Sequence, residues 1–256
     1  MKRRASSILP PLFLLLALLT AWELYVDLGG VDPALLPAPH AIATAAVNSA
    51  GLLWRNALIT VKEVLLGLSL AVGAGFLLAI AIHLSRLVRR TVYPLAVGSQ
   101  ALPFAVLAPP LAFWLGFGIL PKLIVIALIC FFPVAVSTVD GLRAVEDDQL
   151  KLLRTLGSTR WQAFRFAELP AALPSVLTGA RIALVVAWIA AFIAETASPT
   201  VGPYAGLGRE TIVDLNMQLA ARAFAATAVL FVLAILSFYA LAAAERRSTR
   251  WASPTR

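Results

Sequence analysis

The stretch GSTRWQAFRFAELPAALP, residues 157–174, interrupts a chain that is 61% hydrophobic. It opens on Gly157, carries Trp161 between Arg160 and the later Arg165, and meets Leu-Pro twice within six residues. The residues just before it, VEDDQLKLLRTL (145–156), place acids first and the cations Lys151 and Arg154 later. That order suits a helix dipole. Leu150, Leu153 and Leu156 recur every third position, so a short amphipathic helix is expected. Gly157 ends it, as a glycine just past a helix does. Thr159 and Gln162 have the spacing of a capping box and start a second short helix. Trp161 and Phe164 share one face of that helix. Leu169 precedes Pro170, which disfavours the helical region, so the second helix is expected to stop there. Two short capped helices would then present aromatic and basic groups. Such an element suits an anionic lipid surface or a docking protein.

The rest of the chain decides what surrounds it. Of 256 residues only 13% are charged, against about a quarter in soluble domains. Mean hydropathy is +0.89. A water-soluble core of this size cannot absorb that excess, so an all-α polytopic membrane protein is expected. Six spans are read: residues 8–26, 58–84, 94–115, 122–139, 173–194 and 220–244. The first has a basic start and could be a secretory signal peptide. Its apolar run is long for that and no small-x-small site follows, so a retained helix is the better reading. Residues 27–56 read as turns and a short surface helix. Gly67, Gly73 and Gly75 give the second span thin faces for packing. Pro103, Pro109 and Pro110 break or kink the third, which therefore faces the bundle interior.

Charge placement sets the orientation. With the N-terminus in the cytoplasm, fifteen of the 21 Lys and Arg fall in cytoplasmic segments or tails. By the positive-inside rule both termini and residues 141–172 are expected inside. This also accounts for the net charge of +8 without a nucleic-acid partner. Cys130, the single cysteine, reads as a small buried apolar residue.

Enzyme chemistry is not visible. No Lys follows a Gly, so there is no GxxxxGK[ST] phosphate loop. His40 and His83 have no metal-ligand spacing, so no metal is expected. Gly67-Leu68-Ser69-Leu70-Ala71 only superficially resembles a nucleophile elbow. Gly202 and Gly206 spell GxxxG, but in a loop with Pro203. A stand-alone secondary transporter or channel would usually show intramembrane acids or an inverted repeat, and neither is apparent.

The opening stretch resembles the cytoplasmic "EAA" loop of ABC importer permeases: Gly157, eleven residues, then Leu169-Pro170, with Trp161-Gln162 and Phe164-Arg165 between. LLPAPHAI (35–42), LPFAVLAPPLAFWLGFGILPK (102–122), FFPVAVSTVDGL (131–142) and AGLG (205–208) match in order and spacing. Nearly the whole chain is covered. One departure is Lys151-Leu152-Leu153 where the family has Glu-Ala-Ala. The nitrate, sulfonate, taurine and thiamine-pyrimidine-precursor branch often varies there.

The resemblance implies a type I ABC importer permease in a bacterial inner membrane, working as a second copy's partner in a homodimer. It implies an ATPase dimer docked on Lys151, Arg154, Gly157, Arg160, Trp161, Phe164, Arg165, Leu169 and Pro170, with ATP bound by that partner and no cofactor in this chain. A periplasmic or lipid-anchored binding protein would deliver the substrate. Residues 216–247 and 145–174 look most like permeases for pyrimidine precursors of thiamine; sulfonate, taurine and nitrate permeases are close relatives. Expected domains are an N-terminal segment (1–53), the permease domain (54–244) and a cytoplasmic tail (245–256). Pathway candidates are Pro103, Phe104, Trp114, Trp188 and Glu195. The aromatics could stack on a flat ring or simply pack. Glu195 could act on the pathway, pair with Arg209 or cap the loop.

Overall fold

A computed structural model describes residues 2–99, 102–198 and 205–248. The loop at 199–204, with Gly202 and Pro203, and the tail beyond 248, with Arg250 and Arg256, lie outside the described residues. Among the described residues every element is helical. They are α1 (Lys2–Gly29), α2 (Pro39–Asn48), α3 (Ala50–Leu84), α4 (Arg86–Ser99), α5 (Ala108–Leu115), α6 (Ile119–Leu142), α7 (Asp147–Thr155), α8 (Arg160–Ala163), α9 (Leu169–Ala197), α10 (Leu207–Asn216) and α11 (Ala220–Ser248).

Four helices are long and apolar enough to cross a membrane: Ala50–Leu84, Ile119–Leu142, Arg160–Ala197 and Ala220–Glu245. They match four of the six expected spans. The first expected span lies within the 28-residue α1, whose leucines from Leu14 to Leu19 face outward. The third is not one helix. Pro94 lies inside α4, so the basic residues 86–93 and the start of the expected third span share one helix. A 3-10 turn, Phe104–Leu107, then leads into the eight-residue α5. The break has a local cause. Pro109 and Pro110 offer no N–H, so neither residue that would normally reach the Val106 carbonyl can bond it.

The core is α6 held between α3 and α9. Small residues allow the close approach. A Cβ on Gly67 would lie 2.6 Å from the Ile126 side chain, and one on Gly75 would lie 2.7 Å from the Phe131 carbonyl. Gly73, expected to pack likewise, has nothing within 4 Å. On α9, a Cβ on Gly179 would come 2.8 Å from Ser137 of α6. Cys130 is buried here and its Sγ donates to the Ala183 carbonyl at 3.4 Å. α11 closes one side of α9, where Arg181 pairs with Glu245 at 3.0 Å. α1 reaches the bundle through α2 and through Trp22, whose ring lies 6.4 Å from that of Phe224.

The second spanning helix starts at Ala50, eight residues before the expected Leu58. Its 35 residues make roughly 52 Å of helix, longer than a ~30 Å hydrocarbon core. The residues 160–197 likewise form a single 38-residue helical rod. So α3 and the rod that contains α9 are both longer than the slab is thick.

Candidate functional site: a docking loop and a buried polar network

At one end of the bundle lies the 157–174 stretch. α7 has acids in its first turn and Arg154 in its last, and it buries no residue. Gly157 closes it at φ +83°. Its N–H donates to the Arg154 carbonyl and the Ser158 N–H to the Leu153 carbonyl, both at 3.0 Å. These two bonds form a Schellman closure. The Thr159 hydroxyl then accepts from the Gln162 backbone N–H at 3.2 Å, and the Gln162 side-chain Oε1 accepts from the Thr159 N–H at 2.8 Å. The expected glycine break and capping box are both present.

The expected stop at Leu169-Pro170 is not. The chain stays helical through a π turn, Phe164–Glu168, into α9. Leu169 keeps helical angles and its N–H reaches back five residues to the Phe164 carbonyl. The widened turn absorbs the N–H that Pro170 lacks, so the pre-proline bias is overridden.

The loop's side chains divide into two sets. Leu156 (75% exposed), Trp161 (57%) and Phe166 (72%) point into open space. Arg154, Arg160 and Arg165 are exposed around them, and Lys151 pairs with Asp148 at 2.7 Å. A cleft of about 390 Å³ between α7 and α8 is lined by Leu153, Leu156, Gln162 and Phe166. Phe164 belongs to the other set. It is buried with Leu142 and Ala172 against Ile80, Leu84 and Leu169. It therefore supports the loop from beneath and is not open to a partner, contrary to the face expected for it.

The loop is also tied sideways to the end of α3. His83 Nε2 meets the Glu168 carboxylate at 2.8 Å. The Arg160 guanidinium donates to the Leu84 carbonyl at 3.4 Å. The Trp161 and Phe164 rings are 5.3 Å apart, and those of Phe164 and His83 are 6.1 Å apart.

Toward the other end a buried polar network crosses four helices. Lys122 Nζ of α6 donates to Glu63 Oε1 of α3 at 2.8 Å, both side chains at most 1% exposed. Glu195 of α9 is fully buried; its Oε1 accepts from the Thr60 hydroxyl at 2.7 Å. Its Oε2 accepts from the Gly208 N–H at 2.6 Å, and the Leu207 N–H donates to Thr60 Oγ1 at 2.9 Å. Asn56 donates to Glu210 at 3.1 Å. Glu195 thus caps the start of α10. It does not pair with Arg209.

Glu63 lies buried within the second span, where no acid was apparent from the sequence, and neither it nor Lys122 was singled out, although a signal exists. Asn56, Thr60, Glu63 and Gly67 follow helical spacing along one buried face of α3. Trp188 is 3% exposed and donates to the Ser237 hydroxyl at 2.8 Å, so it joins α9 to α11. Pro103 is exposed, Phe104 partly so, and Trp114 is 75% exposed; these three lie together on the broken segment. Glu23, Asp27 and His40 are the one cluster of metal-ligand type among the described residues. It is a hydrogen-bonded helix junction: the His40 N–H donates to Glu23 Oε2 at 3.2 Å and the His40 ring meets Glu23 Oε1.

Two solved ABC transporter structures share this arrangement. The chain aligns with an amino acid ABC transporter at a TM-score of 0.66 and 19% identity, over 80% of this chain and 97% of that one. It aligns with the inward-facing MetNI methionine ABC transporter at 0.66 and 20%, over 80% and 98%. Among curated proteins it is 35% identical to the formylaminopyrimidine transport permease ThiX of Halalkalibacterium halodurans, over 68% of this chain and 69% of ThiX. It is 31% identical to the taurine transport permease TauC of Escherichia coli, over 62% and 61%. Residues 71–250 match the model of the binding-protein-dependent transport system inner membrane component. The helical bundle, the capped polar loop and these matches agree: the chain belongs to that family, the permease subunits of ABC importers.

Proposed function

We propose that this permease moves a small, flat, uncharged solute of the pyrimidine-precursor type inward, with residues 141–172 on the cytoplasmic side of a bacterial inner membrane. One observation carries the coupling half of this reading. A loop with no buried residue in its first helix is nonetheless fixed at every joint, by a Schellman closure, a capping box and a π turn. Order without burial suits a surface held ready for a partner. The partner is a separate ATPase, with ATP bound there. It places an apolar knob near the cleft beside Phe166 and acidic groups opposite Arg154 and Arg165. A substrate-binding protein feeds the opposite face. A second copy of the permease covers the broken segment 102–115, since a backbone carbonyl freed by Pro109 and Pro110 suits a protein interface better than lipid. Pro103, Phe104 and Trp114 then border the path between the copies.

The pyrimidine assignment rests on the 35% identity to ThiX. The taurine relative favours a sulfonate as the second reading. A strain lacking this permease should lose growth on formylaminopyrimidine and keep growth on taurine as sulfur source. The reverse pattern selects the second reading. For docking, Trp161→Ala and Arg165→Glu should insert in the membrane normally but retain at least several-fold less ATPase on purification. Full retention by both variants rules out this surface.

A further inference from the structure

The Leu-Pro that was expected to end the second short helix instead lies in a 38-residue rod, so any push on the loop reaches α9 directly. Nothing in that continuity would move α3. Yet the end of α3 is fastened to the same loop by contacts the coupling reading has not used. An unbroken series of ring contacts runs inward from the docking surface: Trp161, more than half exposed, to Phe164, buried, to His83 on the last turn of α3. His83 in turn meets the Glu168 carboxylate at 2.8 Å, with both side chains only 14% exposed. A carboxylate accepts, so the imidazole donates from Nε2. Glu168 is the last residue of the π turn. One extra residue in a turn rotates what precedes it by about 100° relative to α9. The widening that accommodates Pro170 thus also sets the direction in which Glu168 points.

We propose that His83 and Glu168 are a positioning pair that clamps the docking loop to the end of α3, so that α3 and α9 move as one body when the ATPase closes. The pair touches neither nucleotide nor solute. It acts by making the loop's displacement common to two of the three helices that form the core. This rests on the docking reading above. The Arg160 bond to the Leu84 carbonyl is longer, at 3.4 Å, and adds to the clamp without replacing it. Removing Glu168 leaves the imidazole Nε2–H unpaired in a largely enclosed place and frees the end of α3.

The experiment uses the permease co-purified with its ATPase in lipid nanodiscs. Spin labels sit at Leu77→Cys on α3 and Gln149→Cys on α7, both exposed and neither among the docking residues nor the pair. With Glu168 intact, the distance between labels should be the same with and without ATP. In Glu168→Ala and in His83→Ala it should shift or broaden on ATP addition, by up to the order of 5 Å if the helices slip one turn. ATPase binding should remain undiminished in both, because Trp161, Phe166 and Arg165 are untouched. Glu168→Gln keeps an acceptor of the same reach and should restore the fixed distance, which a nonspecific loss of folding would not. A distance that changes with ATP in the intact protein overturns the clamp alone. So does a fixed distance in Glu168→Ala. Failure of any ATPase to co-purify with the unaltered permease overturns the docking reading and the clamp with it.

Discussion

The Glu195 carboxylate accepts the backbone N–H of Gly208 at 2.6 Å, so a helix of the core caps a helix outside it. α10 has no side-chain cap of its own. The carboxylate supplies what an Asp or Ser at the N-cap would, and the Thr60 hydroxyl bonds both that carboxylate and the Leu207 N–H. The fit leaves no room for a Cβ: one on Gly206 would lie 1.7 Å from Glu195 Oε1. Gly206→Ala must push the carboxylate aside and break these bonds. It should lower the melting temperature in detergent clearly more than Gly73→Ala, whose added Cβ meets nothing within 4 Å. Equal melting of the two variants would refute the capping role.

The Glu63–Lys122 pair allows a sharper energetic test. Both side chains are out of water, so truncating Lys122 takes from Glu63 the cation and the hydrogen bond beside it. Lys122→Met should cost about 3–5 kcal/mol. Lys122→Met combined with Glu63→Leu removes both charges and should recover most of that loss, a coupling visible in a double-mutant cycle. Additive losses would show that the two groups act separately.

Some of this was legible in the sequence and some was not, for reasons of range. The Gly157 break and the Thr159–Gln162 box are decided within three or four residues, so local chemistry sufficed. The buried pair spans 59 positions, and in the sequence Lys122 looked like one more charge at the end of a span. Its partner Glu63 shares a face with Thr60 and Gly67 inside the expected span, and Asn56 joins that stripe once α3 is drawn from Ala50. Leu169-Pro170 misled in the opposite way. The local bias is real, but Leu169 takes helical angles all the same, and a single extra residue in one turn accommodates the missing Pro170 N–H without ending the helix.

His40 gives a pH-dependent contact outside the spans. Its pKa is raised above the ordinary 6.5, chiefly by the hydrogen bond to Glu23, then by the charge of Glu23. A raised value means the protonated form favours the folded contact. The added stability is complete below the ordinary value and is lost as pH rises through the raised one. The chain has two histidines, so an NMR titration in a His83→Asn background isolates His40. Glu23→Gln should bring its midpoint down toward the ordinary value. An unmoved midpoint would show that Glu23 is not the cause.

Orientation follows from the basic bias and is testable with single cysteines, because Cys130 is buried and adds no background. Leu156 and Met217 are 75% and 62% exposed and lie at opposite ends of the bundle on the proposed topology. An impermeant thiol reagent added to intact cells should label Met217→Cys and spare Leu156→Cys. Ser198, only 2% exposed, would be a poor reporter for the same face. The reverse labelling pattern would invert the topology.

The same closure that ends α7 also ends α10, with one difference. The Leu219 N–H donates to the Asp214 carbonyl at 2.8 Å and the Gln218 N–H to the Leu215 carbonyl at 3.1 Å. The residue in the left-handed position is Gln218, at φ +58°, where α7 has Gly157. A side chain there crowds the following carbonyl and costs roughly 1–2 kcal/mol, whereas glycine bears no such cost. Gln218→Gly should therefore stabilise the protein by about 1 kcal/mol, after the added freedom of the unfolded chain is set against the relief. Gly157→Ala should destabilise by a similar amount, since it imposes the strain that Gln218 already carries. The pair is a matched comparison within one molecule, read by thermal unfolding of the two variants in the same detergent. No gain from Gln218→Gly would mean that the glutamine side chain contributes contacts equal to its strain, and the backbone account of the turn would then be insufficient.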